Sequence, residues 1–145
     1  LAIAVALSHH AKLLILDEPT SGLDPFMRDE IFDILYEFTR AEDQSVLISS
    51  HIVSDLERLC DYIAYIDQGS LKLYEEKDRL IEQYGILKCS KEELKEFDEQ
   101  AVKGVRKNSY GVEALVDKLK MPKDYKTDMA TLEEIIVFLS KGQEE

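Results

Sequence analysis

Residues 13–25 read LLILDEPTSGLDP, and the order of apolar, acidic and turn residues in this segment indicates the fold class. It begins as a short apolar run, typical of a buried β-strand, and continues into the acids Asp17 and Glu18. Asp24 followed by Pro25 predicts the start of a helix, because aspartate caps helices and proline fits their first turn. The stretch therefore predicts a strand, a loop that carries two carboxylates, and a helix.

Further elements after this stretch extend the alternation of strands and helices. A second apolar run, SVLIS, occupies residues 45–49 and predicts another strand. Because strands separated by helices usually form a parallel sheet, we expect the two to pair side by side. Residues 52–60 have the spacing of a short helix, and the runs 62–66 and 70–74 flank a Gly-containing turn. These two runs predict a hairpin at the edge of the sheet.

The second part of the chain is richer in lysine and glutamate, and we predict a boundary near Gly85. Residues 1–85 would form a parallel sheet flanked by helices, and residues 86–145 a small accessory α+β unit. Strands are predicted at residues 86–89 and 102–107. Helices are predicted at residues 77–84, 91–100, 112–120 and 131–140, with capping by Ser90 and a capping box from Thr131 to Glu134.

Composition limits the function classes. The 145 residues include 18 basic and 30 acidic ones, for a net charge of −12, and residues 1–85 hold 17 of the acids but 7 of the bases. General nucleic-acid binding needs a basic footprint, so the charge argues against a nucleic-acid partner. Hydrophobic residues make up 45% of the chain, which is enough for a packed core. Cys60 and Cys89 have no metal-ligand spacing.

The polar residues that follow the two predicted strands form a candidate site. Asp17 and Glu18 end the first strand, and His51 follows the second. Because the carboxyl ends of parallel strands meet at one sheet edge, we expect these three side chains to approach one another. Carboxylates there suit Mg²⁺, and an imidazole suits a phosphate oxygen. Taken singly, the acids would also fit an ordinary polar turn, and the histidine a surface or capping position.

These motifs together resemble the second half of the ATPase domain of ABC transporters. LLILDEPT resembles the Walker B strand with its catalytic acid, SGLD resembles the D-loop, and His51 in VLISSH is similar to the switch histidine. LAIAVALSHHAK at the start resembles the helix after the signature motif. The resemblance covers residues 1–85, and the helix-like ATLEEIIVFLSKG near the end is similar to the tails of ABC-2-type exporter ATPases. It implies part of a P-loop NTPase fold.

The resemblance also implies roles for individual residues, with ATP and Mg²⁺ as cofactors. Asp17 would hold Mg²⁺, Glu18 would be the general base towards water, and His51 would bond the γ-phosphate. The D-loop residues would bind cofactor and signal across a nucleotide-sandwich dimer: Ser21, Gly22 and Asp24. The intact parent would hydrolyse ATP to drive transport through a transmembrane permease subunit, paired with a second nucleotide-binding subunit. It would be cytoplasmic, peripheral at the inner face of the cell membrane.

The sequence departs from the family pattern in one important way. No G-x-x-x-x-G-K-[ST] phosphate loop and no signature motif occur in it, and it begins at Leu1 in the middle of an apolar pattern. We therefore expect a carboxyl-terminal fragment that neither binds nor hydrolyses ATP by itself. Two alternatives stay open: a non-catalytic, acidic interaction or regulatory module, and a soluble ABC protein that is not coupled to transport.

Overall fold

The computed structural model describes residues 2–9, 11–108, 111–122 and 124–141. The chain is mixed α/β and divides into two compact units, Leu1–Leu59 and Cys60–Glu145, which we call unit 1 and unit 2. None of the helices in the described ranges combines the length and the apolar character that crossing a membrane requires.

Unit 1 alternates helices with two strands. Its elements are α1 (Ala2–Leu7), β1 (Leu13–Asp17), α2 (Pro25–Thr39), β2 (Ser45–Ser49) and α3 (Val53–Leu59). β1 and β2 pair in parallel, with Leu13 opposite Ser45 and Asp17 opposite Ser49. The predicted strands and their parallel pairing are therefore confirmed, although the sheet has only two strands within the described residues. The larger P-loop NTPase sheet stays a proposal.

The two faces of the β1–β2 sheet differ in burial. On one face Leu14 packs against Leu35 and Phe38 of α2 and forms the buried core of unit 1. On the other face the side chains of Ile15 and Leu47 are 71% and 59% exposed. Side chains alternate between the faces of a strand, so this second face is open along its length.

Helix α2 begins where the sequence predicts. The Asp24 carboxylate accepts hydrogen bonds from the backbone amides of Phe26 and Met27, both at 3.0 Å, and Pro25 takes the first helical position. These bonds satisfy amides that have no partner within the helix.

Unit 2 contains a hairpin and a four-stranded antiparallel sheet. Its elements are β3 (Tyr62–Asp67), β4 (Ser70–Glu76), α4 (Lys77–Gln83), β5 (Tyr84–Cys89), α5 (Lys91–Leu94), β6 (Val102–Asn108), β7 (Gly111–Asp117), a 3₁₀ turn (Lys118–Lys120), β8 (Asp128–Met129) and α6 (Leu132–Lys141). The strand order is β6-β7-β5-β8. Both faces of this sheet are covered. Ala114 and Val116 pack with Leu87 and Phe97 on one face, and Gly104 approaches α6 on the other.

The predicted hairpin is confirmed, and its expected place at the edge of the parallel sheet stays a prediction. Within the described residues β3 and β4 pair only with each other, in a sheet separate from β1 and β2. A two-residue hairpin turn of this kind needs positive φ at both central residues. Gln68 and Gly69 meet this requirement, with φ of 47° and 75°. Such turns match the twist of the strands that they connect.

Two predicted helices need correction. Residues 112–120 form strand β7 and a 3₁₀ turn, because β7 lies between β5 and β6 and is buried on both faces, which removes any clear period. The helix predicted over residues 91–100 ends at Leu94. Its Ser90–Glu93 capping box is present, but the carboxylate of Asp98 accepts a bond from the amide of Gln100 and forms a turn.

The remaining expectations for unit 2 have mixed outcomes. The Thr131–Glu134 capping box is confirmed, since the Thr131 amide donates to Glu134 Oε2 at 2.9 Å and the Glu134 amide to Thr131 Oγ1 at 3.2 Å. The helix predicted over residues 131–140 is confirmed as α6, Leu132–Lys141. Gly85 lies within β5, and the two domains at residues 1–85 and 86–145 stay a prediction.

Candidate functional site

The first part of the site is the end of β1. Ser49 Oγ donates a hydrogen bond to Asp17 Oδ1, and the Glu18 amide donates to the Ser49 carbonyl at 2.9 Å. Asp17 is exposed, and the alternation of the strand puts it on the open face with Ile15. The pairing of β1 with β2 thus continues to the residue that carries the second acid.

Glu18 departs from strand geometry at this point. Its φ is 46°, in the left-handed region that residues other than glycine rarely adopt. Such strain persists when the surroundings hold it, and it clusters at functional sites. The turn continues with the Ser21 amide donating to the Glu18 carbonyl at 3.1 Å.

Glu18 and His51 are in direct contact. The His51 backbone amide donates to Glu18 Oε1 at 2.9 Å, and the His51 ring nitrogen Nδ1 lies 2.8 Å from Oε2. One residue therefore engages both carboxylate oxygens. The carboxylate is half-buried and the histidine side chain exposed. The structure brings together the two residues that the strand ends predicted to approach each other, and their catalytic roles stay predictions.

The loop that follows carries the other predicted residues. Gly22 has a φ of 73° and open space around the position where a side chain would begin, so its backbone conformation explains the glycine. Ser21 is exposed. Asp24 caps α2 through its side chain. The structure assigns Asp24 this capping contact, and the expected roles of all three in cofactor binding and dimer signalling stay predictions.

Three residues near the site were missed by the sequence reasoning: Thr20, Arg28 and Asp55. Thr20 and Asp55 are 0% and 2% exposed, and the threonine hydroxyl donates to Asp55 Oδ2 at 2.6 Å. A signal was present in the sequence. Asp55 lies three residues after Ile52 and directly before Leu56, so it shares a helix face with these apolar residues, and a charged residue there indicates a buried partner.

A magnesium ion fits the acids only in part. Asp17 offers an exposed carboxylate beside a hydroxyl, and Mg²⁺ is usually held by one or two carboxylates together with phosphates and water. No group of three or more potential ligand side chains occurs in the part of the chain that the structure describes. The fit therefore requires oxygen ligands from a bound phosphate group and from water.

Known proteins resemble this chain over part of its length. Residues 1–54 match the family described as "AAA domain, putative AbiEii toxin, Type IV TA system". The lantibiotic transport ATP-binding protein SrtF of Streptococcus pyogenes is 46% identical over 78 residues, which are 54% of this chain and 34% of that protein.

Two further relatives give the same result. The uncharacterized ABC transporter ATP-binding protein YhcH of Bacillus subtilis is 48% identical, and the bacitracin transport ATP-binding protein BcrA of Bacillus licheniformis is 45% identical, each over 71 residues. Those residues are 49% of this chain and 23% of each relative, so the chain spans between 23% and 34% of the length of these three relatives. About half of this chain is therefore homologous to the ATP-binding proteins of ABC transporters.

Proposed function

We propose that this chain is the carboxyl-terminal part of an ATP-binding subunit whose ATP hydrolysis drives transport. The observation that supports the proposal most strongly is the contact of Glu18 with His51 at the carboxyl ends of two parallel strands. This is the sheet edge where α/β proteins place their chemistry. The homology to transport ATP-binding proteins supports ATP hydrolysis as the reaction at this site.

In this proposal Glu18 and His51 divide the work of phosphoryl transfer to water. Glu18 Oε1 stays bonded to the backbone amide of His51, which fixes the direction of the carboxylate. When the His51 ring turns from Oε2 towards a phosphate oxygen, Oε2 becomes free to accept a proton from the attacking water. His51 would thereby have two functions. Its backbone amide orients the Glu18 carboxylate, and its ring moves from that carboxylate to the phosphate.

The remaining site residues have supporting roles in the proposal. Mg²⁺, when bound, neutralises charge on the phosphates, and Asp17 would hold it, partly through water. The loop of Ser21, Gly22 and Asp24 would contact a second nucleotide-binding subunit. The phosphates need a nest of backbone amides, and the 145 residues contain no G-x-x-x-x-G-K-[ST] loop. We therefore propose that the chain alone neither binds nor hydrolyses ATP.

The partner and location follow from the same homology and are equally proposals. The subunit would work with a transmembrane permease, at the inner face of the cell membrane, with residues 86–145 as an accessory region. The names of two relatives refer to lantibiotic and bacitracin transport, and these substrates are stated for those relatives alone.

The test uses the whole ATP-binding subunit that contains this chain, which in this proposal also supplies the phosphate loop. Glu18→Gln keeps an oxygen acceptor but is a poor base, so ATP turnover should fall by about 10² or more while ATP binding persists. Glu30→Gln, an exposed residue on α2, is the matched control and should leave turnover unchanged. Undiminished turnover in Glu18→Gln would remove Glu18 from the proposed role.

A separate titration tests the isolated chain. Adding Mg-ATP to the 145-residue chain should give no binding in the micromolar range and no hydrolysis above background. Micromolar binding, or turnover that Glu18→Gln abolishes, would show that these residues suffice and would contradict the fragment part of the proposal.

A further inference from the structure

A largely buried polar cluster connects segments that flank the candidate site and has no role in the proposed mechanism. It consists of Thr20, Arg28 and Asp55. Asp55 Oδ2 accepts the hydroxyl of Thr20 at 2.6 Å, and Asp55 Oδ1 lies 3.5 Å from Arg28 Nη1. The guanidinium is partly exposed, and its buried Nε has no hydrogen-bond partner among the described residues.

The cluster joins the three segments that carry the predicted site residues. Thr20 lies two residues after Glu18, and Asp55 lies four residues after His51, in the first turn of α3. Arg28 lies in the first turn of α2, where its amide donates to the Asp24 carbonyl at 3.0 Å. One buried carboxylate therefore holds the acid loop, the start of α2 and the start of α3 in a single arrangement.

A purely structural role explains the cluster less well. Removing a carboxylate from water is costly, and apolar residues of similar volume often stabilise such a position as well or better. Hydrogen bonds, unlike apolar contacts, have a preferred length and direction. A carboxylate at this position fixes the spacing of the segments more narrowly than apolar side chains of the same size would.

We propose that Asp55 is a positioning residue that, through Thr20, holds the Glu18 carboxylate within hydrogen-bond distance of His51. The consequence for ATP hydrolysis rests on the proposed function, whereas the effect on the Glu18–His51 contact does not. Neither Thr20 nor Asp55 touches the reacting atoms in this proposal. Both act on the relative placement of two loops that each carry one member of the pair.

The test measures amide hydrogen exchange in the 145-residue chain. Thr20→Val removes the hydroxyl but keeps the shape, and Thr20→Ser keeps the hydroxyl. The amides of Glu18 and His51, which donate to Ser49 and to Glu18, should exchange about tenfold faster in Thr20→Val, because their local opening becomes easier. Thr20→Ser should restore slow exchange.

Asp29→Asn is the matched control. Asp29 pairs with Arg58 and so joins α2 to α3, as Asp55 does through Arg28, but this pair lies at the surface. It should leave the amides of Glu18 and His51 unchanged. Faster exchange in Asp29→Asn, or equal exchange in Thr20→Val and wild type at those two amides, would overturn the positioning role. Amides within α2 at the core of unit 1, such as those of Leu35 and Phe38, report whether a variant has lost the fold of that unit.

A kinetic measurement separates this inference from the proposed function. In the ATP-binding subunit that contains the chain, Thr20→Val should lower kcat with little change in KM, and Thr20→Ser should restore kcat. If exchange accelerates and kcat does not fall, the positioning of Glu18 by Asp55 holds and the proposed function fails. If exchange does not change, the positioning role itself fails.

Discussion

The β-sheets of the two units differ in how many of their faces are covered. In unit 2 the central strand β7 has Ala114, Leu115 and Val116 fully buried, with cover on both faces of the sheet. In unit 1 the β1–β2 sheet packs on α2 with one face and leaves Ile15 and Leu47 exposed on the other. The unit whose sheet is covered on one face carries all of the predicted site residues.

The two sheets indicate that the units obtain their stability in different ways. Burial of apolar area is the main favourable term in folding, and unit 2 obtains it on both faces of its sheet. Unit 1 buries one face of its sheet in its own core, and the apolar side chains of Ile15 and Leu47 stay exposed on the same face as Asp17. Exposed apolar patches of this kind typically mark contact surfaces. The predictions below test whether the units differ as their sheets indicate.

The largest expected effect comes from truncating a side chain in the covered sheet. Leu115→Ala should lower the free energy of unfolding of unit 2 by about 2–5 kcal/mol, because the lost contacts leave a cavity. Leu47→Ala, on the open face of unit 1, should change stability by no more than about 0.5 kcal/mol. Amide exchange in β7 and in β1 measures the two values, and equal losses of stability would show that the two sheets do not differ in packing as their burial indicates.

Glycines in the two units should respond differently to substitution. A Cβ on Gly104 would lie 2.6 Å from the Phe138 carbonyl oxygen, so Gly104→Ala should cost about 1–3 kcal/mol through overpacking. Gly22 has open space but a left-handed backbone, and Gly22→Ala should cost about 1 kcal/mol. Asparagine tolerates that backbone, so Gly22→Asn should recover part of the loss, as urea titration would show, while Gly104→Asn should not.

Much of unit 1 could be predicted because its signals are local. The apolar runs, the Asp24-Pro25 start of α2 and the acid loop each depend on a few adjacent residues. Unit 2 was harder because β7 is apolar on both faces. A run such as VEALV then fits a helix as well as a strand, and only its pairing with β5 and β6 decides.

The site shows the same division between local and long-range information. The approach of His51 to Glu18 follows from parallel strands, which the order of elements predicts. The left-handed backbone of Glu18 and the Thr20–Asp55 bond depend on contacts across more than 30 positions, and no local pattern encodes them. The one available signal was a carboxylate on the apolar face of α3.

The open face should also promote self-association of the isolated chain. Replacing both Ile15 and Leu47 with serine removes two exposed apolar side chains beside each other, and the association constant should fall by about tenfold. Leu71→Ser is the control, since Leu71 is 61% exposed on the hairpin of unit 2. Light scattering over a range of concentrations measures the effect. A clean monomer in the wild type would contradict the expectation.

The smallest effects should come from surface ion pairs, in which the two units are alike. Lys88 pairs with Asp128 at 2.7 Å in unit 2, and Asp29 pairs with Arg58 in unit 1, all of them exposed. The hydrogen bond to Asp128 raises the pKa of Lys88 above its ordinary value near 10.5. That contribution is fully present below the unfolded pKa and is lost as pH rises through the folded one.

Asp128→Asn should therefore lower the melting temperature of unit 2 slightly at pH 7, and the difference from wild type should vanish as the pH rises through the raised pKa of Lys88. Asp29→Asn should cause a similarly small loss that persists to higher pH, because Arg58 keeps its charge there and its pKa is raised further by Asp29. Melting curves at several pH values test both. A large loss in either variant would mean that surface charge, and not the cover of the sheets, separates the two units.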